Sequence, residues 1–320
     1  MTTYKAAVAQ AASFPDDPRA SAGKAAALIR EAAAAGARLI VFPEAFVGGY
    51  PKGASFGCPI GMRRPEGREA FRHYYDAAID LRGAEVANIA EATAATGIFA
   101  VVGCIERDGG TLYCTVLFDG AKGVVGKHRK LMPTAGERLI WGFGDGSTMP
   151  VFDTSLGRIG AVICWENYMP MLRMHMFSQG IGIYCAPTAD DRDTWIPSMQ
   201  HIALEGRCFV LTACQHIKRS AYRADHESAL GDAAETVMMR GGSAIIDPLG
   251  RVLPGPTSRK RRSCMRTLTL NRLCAASSIL TCPATMRGPT SSSSLSMIGR
   301  SARFPHWTIA QTLAWRERPA

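Results

Sequence analysis

The sequence predicts an α/β layered fold, and three observations carry that prediction. Short apolar runs of strand length stop at turn residues, as in RLIVF before Pro43-Glu44 and GAVIC before Trp165-Glu166. Segments of helical pattern lie between several of these runs. No repeat and no linker interrupts residues 1–256. The chain has 320 residues, 47% of them hydrophobic, which is ample for one large core.

The elements follow in order. YKAAVAQ, residues 4–10, reads as a first strand, and the Ala-rich stretch 17–37 as a helix. Residues 38–42 form a continuous apolar run, a buried strand ended by Pro43. Residues 71–81 and 84–95 are helical in pattern, with Gly97 stopping the second. Residues 98–106 and 111–118 form a hairpin about Asp108-Gly109-Gly110. A short strand follows at 123–128. Residues 158–164 make another buried strand, with a helix expected from about Glu166. Apolar runs at 180–185, 209–214 and 243–246 are of strand length, and 194–205 is helical.

Composition narrows the function. No run approaches the roughly eighteen apolar residues of a membrane span, and the N-terminus lacks the pattern of a signal peptide. The ten cysteines show no CxxC spacing and read as buried thiols of a reducing, cytoplasmic setting. The seven histidines show no ligand spacing, and no Gly-rich phosphate loop stands between a strand and a helix, so neither a metal nor another cofactor is expected. Met169, Met171, Met174 and Met176 read as packing rather than ligation. The net charge of +10 suggests an anionic partner until it is located. Residues 257–320 hold 11 of the 37 basic residues and one acid, Glu317, which leaves 26 of each sign in the remainder. The body is neutral, and neither nucleic acid nor a membrane is assigned as its partner.

Three reactive side chains stand just after strands: Glu44, Lys130 and Cys164. Strand ends facing a crevice are where α/β folds place ligands. Singly, each has a plain reading: Glu44 as a solvated turn acid, Lys130 as one of a basic run with Lys127, His128 and Arg129, Cys164 as an inert core thiol. Together they form a kit for cleaving a carbon–nitrogen bond. A thiol needs help to become a nucleophile, and a following helix N-terminus, a lysine or a carboxylate base would each promote the thiolate. An ammonium can hold the charge that develops, and a carboxylate can carry protons.

Three long stretches carry a resemblance. FPEAFVGGYPKG, HRKLMPTAGERLIWGFGDGS and GAVICWENYMPMLR are similar, in this order, to the three motifs of the nitrilase family; ADDRDTW and HIALEGRCFVL resemble it as well. The likeness runs from about Tyr4 to Pro256. It implies a four-layer αββα sandwich, in dimers that can assemble into spirals. It places the family's glutamate on Glu44, its lysine on Lys130, its nucleophile on Cys164 and a further glutamate on Glu137. Trp165 falls at the substrate pocket, and the Trp165-Glu166 pair resembles nitrilases more than amidases or carbamoylases. The implied reaction is hydrolysis of an organic nitrile to a carboxylic acid and ammonia through a thioimidate and an acyl-enzyme. A cyanide-hydrolysing relative, an amidase, or an inactive scaffold with a basic tail remain as alternatives.

The tail departs from the family. A C-terminal pattern resembling GKFDxDxxGHYxRPDVF is missing, yet a one-base shift recovers it. With permitted codons, residues 277–300 then read KFDLDVPGHYARPDVFQLSVDDRP, and residues 260–276 read EETILYADLDLEPIVRG. Limited codon choice makes so long a match hard to reach by accident. We therefore expect residues 1–256 to be a catalytic domain without its C-terminal part, and 257–320 to be a frameshifted, basic, partly disordered tail that leaves a sheet edge open.

Overall fold

A computed structural model describes residues 4–59, 61–253 and the backbone of 264–270. The elements run β1 Tyr4–Gln10, α1 Pro18–Ala34, β2 Ala37–Val41, α2 Pro65–Ala77, α3 Ala84–Thr96, β3 Phe99–Asp108, β4 Thr111–Gly120 and β5 Gly123–Arg129. They continue with β6 Val151–Thr154, β7 Gly157–Ala161, α4 Pro170–Ser178, β8 Ile183–Thr188, α5 Trp195–Gly206, β9 Phe209–Cys214, β10 His216–Lys218, β11 Val237–Arg240, β12 Ala244–Ile246 and β13 Cys264–Leu270.

Two sheets result. The first has the order β13-β1-β2-β3-β4-β5 and the second β12-β9-β8-β7-β6, while β10 and β11 pair by themselves. In the first, β1, β2 and β3 are parallel and the β3-β4-β5 meander is antiparallel. In the second, β7, β8 and β9 are parallel, flanked by antiparallel β6 and β12.

Alternation along the strands explains the layers. Val8, Leu39, Val41, Val101 and Val116 of the first sheet face Ile159, Ile183, Leu211 and Ile245 of the second in one buried cluster. The alternate residues Ala7, Ile40 and Val102 pack under Ile29 of α1 and Ile89 of α3. On the far side, Tyr184 and Val210 pack under Met176 of α4 and Met199 of α5. The result is α-β-β-α. Strands buried on both faces must be apolar throughout, which is why RLIVF and FVLTAC read as unbroken runs. Tyr4 stitches the sheets by donating to the Leu156 carbonyl at 2.8 Å.

Several elements differ from expectation, three of them in ways that bear on the site or the sheet edge. Helix α2 begins at Pro65 rather than 71, because a proline at the first helical position has its φ preset and no N–H to satisfy. The strand leading to Cys164 ends at Ala161, and a five-residue 3₁₀ turn, Cys164–Tyr168, replaces the expected helix start; α4 begins only at Pro170. The sequence leads to an open sheet edge at no stated place; beside β1, β13 pairs in antiparallel register from Tyr4↔Leu270 to Gln10↔Cys264. A stretch reading CMRTLTL has the threonines and leucines that a strand accepts. The rest of the tail and its reframed motif lie outside the described residues. Among the described residues no helix is long and apolar enough to cross a membrane.

Candidate active site

All four polar residues singled out by sequence meet at one end of the sandwich. Glu44 lies three residues past β2 and is 1% exposed. Its Oε1 accepts a hydrogen bond from Lys130 Nζ at 2.7 Å, and its Oε2 accepts the Ala189 N–H at 2.9 Å. Gly103 of β3 makes room for this turn: a Cβ there would lie 2.2 Å from the Pro43 carbonyl oxygen and 2.8 Å from the Glu44 Cα.

Lys130 follows β5 directly and is equally buried. Its ammonium also donates to Glu137 Oε2 at 2.8 Å and sits over the Trp141 ring, 5.4 Å from the centroid. Glu137 lies on a 3₁₀ turn, Ala135–Leu139. It accepts the Thr134 N–H at 2.6 Å and the Tyr50 hydroxyl at 2.7 Å. One lysine is therefore shared by two carboxylates.

Cys164 is 4% exposed and opens its 3₁₀ turn with φ +49°, a left-handed conformation that costs a non-glycine residue free energy. Ala45, next to Glu44, and Ala135, two residues before Glu137, have φ +50° and +47°. Backbone strain thus gathers at the site, where surrounding packing must hold it. The Thr188 hydroxyl, at the end of β8, donates to the Cys164 sulfur at 3.1 Å. Asn167 Nδ2 donates to the Cys164 carbonyl at 2.7 Å and to the Val162 carbonyl at 3.0 Å.

The electrostatics correct one expectation. A thiolate is not preformed: burial first, then the Glu44 charge, push the Cys164 thiol up to about 12, and Lys130 offsets this only in part. Burial also raises Glu44, against the pull of Lys130. A protonated thiol beside a carboxylate of raised basicity can transfer its proton as it attacks.

Cys164 and Glu137 line a cavity of about 520 Å³ with Tyr50, Phe56, Ile140 and Trp165. Trp165 is 40% exposed at its mouth, held by a hydrogen bond from Nε1 to Asp190 Oδ2 at 2.9 Å and by the Arg192 guanidinium 4.7 Å over its ring. Sequence reasoning missed Tyr50 and Thr188. Tyr50 lies in the same motif as Glu44 and could have been found there. Thr188 carries no local signal, because its role depends on where β8 ends beside β7.

Residues 5–276 match the carbon–nitrogen hydrolase family. A nitrilase of Bradyrhizobium diazoefficiens is 78% identical over 255 residues, 79% of either chain. An aliphatic nitrilase of Sinorhizobium fredii is 56% identical over 256 residues, covering 80% of this chain and 83% of its own. A bifunctional nitrilase/nitrile hydratase of Lupinus angustifolius is 54% identical over 261 residues, 80% of this chain and 75% of its own. Among solved structures, a CN-hydrolase superfamily protein of Xanthomonas campestris with an arsenic adduct in its active site superposes with a TM-score of 0.67 at 18% identity. That likeness covers 91% of this chain and 99% of the other, and it speaks for the fold alone.

Proposed function

We propose, for a chain that belongs to the carbon–nitrogen hydrolase family and is a nitrilase, that Cys164 is the nucleophile, Glu44 the proton carrier, Lys130 the electrostatic stabiliser and Glu137 the partner that holds the lysine. The observation that carries this division is the Lys130 ammonium bridging Glu44 and Glu137 beside the cavity that Cys164 lines.

The Cys164 sulfur bonds to the nitrile carbon while Glu44 takes the thiol proton and returns it to nitrogen, giving a thioimidate. Water activated by Glu44 adds to that carbon, and Lys130 holds the charge of the tetrahedral species. The C–N bond breaks as the nitrogen takes the water-derived proton from Glu44 and the hydroxyl proton of the same species, so that ammonia leaves and a thioester remains. A second water, deprotonated by Glu44, releases the carboxylic acid and restores the thiol.

Phe56, Ile140 and Trp165 give the cavity an apolar wall that cyanide would not use, so the reading favours an organic nitrile. Trp165 forms one side of that substrate pocket. We further assign residues 1–256 as the catalytic domain, with the frame lost between about 256 and 260. The reading includes self-association, in a dimer or larger spiral, supported by exposed Met171 on α4 and Tyr168 just before it. It also includes a cytoplasmic setting, supported by seven free cysteines among the described residues.

The test is ammonia release from a panel of nitriles with cyanide included. The chain as written and a version with the reframed tail are assayed side by side, each with Cys164→Ala. Release abolished by the substitution, by at least ~10⁴-fold, is expected. Release that survives it sinks the assignment of the nucleophile. Equal activity of the two tails would show that the reframed segment is dispensable.

A further inference from the structure

We propose that Glu166 is a positioning residue that locks the turn carrying Cys164 to the strand carrying Lys130; this rests on the reaction proposed above. The side chain is fully buried, and it does not line the cavity. One oxygen, Oε2, accepts the N–H of Ile163, the residue before the nucleophile, at 2.7 Å. The other, Oε1, accepts the N–H of Leu131, the residue after the lysine, at 2.6 Å. No element of secondary structure makes this join. Lys130 belongs to the end of the first sheet and Cys164 to the end of the second, and among the described residues the two sheets share no ladder. A single carboxylate therefore spans the two layers at the point where their reactive residues must keep register.

The countercharge is His128, 1% exposed on β5. Its Nε2 lies 3.0 Å from Glu166 Oε2, and its Nδ1 faces the Thr148 carbonyl, which can only accept. Nδ1 must therefore carry a proton, and a second proton on Nε2 makes an imidazolium facing a carboxylate. Burial opposes the charge, but Glu166 outweighs it and holds the imidazole above its ordinary range. With its charge met by His128, Glu166 keeps its lone pairs for the two backbone N–H groups. Those bonds restrain the neighbours of a cysteine held at positive φ, a conformation the turn would leave if freed.

Charge balance and bridging can be separated by two variants. Glu166→Asp keeps a charge opposite His128 but is one methylene too short to span both N–H groups. The double variant His128→Gln, Glu166→Gln removes both charges at once, which spares the fold an unpaired buried ion, and replaces one of the two accepting oxygens by an amide that donates. Nitrile turnover is measured for each, with the rate at which iodoacetamide alkylates the Cys164 peptide. Positioning predicts that both variants lose ~10²-fold in kcat with KM within about threefold, and that Cys164 alkylation slows ~10-fold. Turnover within about threefold of the unsubstituted chain, in either soluble variant, overturns the proposal, because charge balance alone would then account for the pair. If the unsubstituted chain releases no ammonia from any nitrile, the reaction assignment fails, and the alkylation rates alone decide the role of Glu166.

Discussion

Glu44 and Glu106 are both buried carboxylates, 1% and 3% exposed, and both are paired with basic residues at or next to β5. Their surroundings drive them apart. Glu44 has half a cation, because Lys130 is shared with Glu137, and burial raises its pKa. Glu106 also pays for burial, but Arg129 donates twice to it, Lys127 donates at 2.5 Å and Thr115 at 2.8 Å, and the net result is a lowered pKa. The comparison teaches that the cations held by each carboxylate, set against its burial, separate a group poised to move a proton from one fixed as an anion.

The largest effects should cross over. Glu44→Gln is expected to cost ~10²–10⁴-fold in kcat with the melting temperature nearly unchanged, since Lys130 keeps Glu137. Glu106→Gln is expected to leave kcat within about twofold while costing about 2–3 kcal/mol of stability. Steady-state kinetics and thermal melts on both variants decide it. If Glu106→Gln were the slower enzyme, cation count would not be what assigns the roles.

Protons sharpen the same contrast. Glu44 must be ionised to accept the thiol proton, so the acid limb of kcat/KM should lie above the ordinary carboxylate range. Alkylation of Cys164 should keep rising toward pH 12 and show no plateau near an ordinary thiol pKa. For stability the sign reverses between the two groups. A lowered folded pKa contributes stability above the unfolded value and loses it as pH falls through the folded one, so Glu106 should make the fold acid-sensitive. A raised folded pKa contributes stability below the unfolded value and loses it as pH rises, so Glu44 should not. Melting curves below pH 5 should therefore fall less steeply for Glu106→Gln than for the unsubstituted chain.

The two carboxylates were not equally readable in the sequence. Glu44 stands in a long motif and at the end of an apolar run, so its strand, its turn and its chemistry could all be read together. Glu106 is one acid in a hairpin, and its partners Lys127 and Arg129 come to it only through the β3-β4-β5 register. Strands of five or more residues with unbroken apolar runs were legible to within a few positions, as β1 and β9 show. The short strands β6, β10 and β11 were not, because three or four residues that mix polar with apolar side chains show no pattern, whereas the three apolar residues of β12 stand out as a run. Local pattern likewise could not foresee that the chain leaves β7 three residues before Cys164. The parallel pairing with β8 ends at Ala161, and the strained turn follows from the tertiary contacts of Asn167 and Glu166.

A smaller effect probes how Glu44 is held rather than what it does. Gly103→Ala would drive a methyl into the Pro43 carbonyl and the Glu44 backbone. The backbone must give, and displacement on the order of 1 Å is expected to cost about 10²-fold in kcat with KM little changed. A variant of full activity would show that the Glu44 turn is soft, and that Lys130 alone suffices to place its carboxylate.

The smallest effect completes the series with a carboxylate that has no cation beside it among the described residues. Asp119, 1% exposed on β4, accepts the Thr93 hydroxyl at 2.8 Å, while its Oδ2 has no partner among the described residues. Burial raises its pKa, with the Thr93 bond acting against it. Its contribution to stability is present below the unfolded pKa and is lost as pH rises through the raised folded value, so at neutral pH the ionised group is a liability. Asp119→Asn is then expected to raise the melting temperature by roughly 1–3 °C at pH 7, a gain of about 1 kcal/mol or less, and to give a smaller gain near pH 4, because the native carboxyl takes up its proton as pH falls through its raised value. No cation, one shared cation and two cations would thus give a liability, a proton carrier and an anchor. A melting temperature lowered equally at both pH values would mean instead that the added amide N–H finds no acceptor, and that hydrogen-bond geometry rather than charge governs this position.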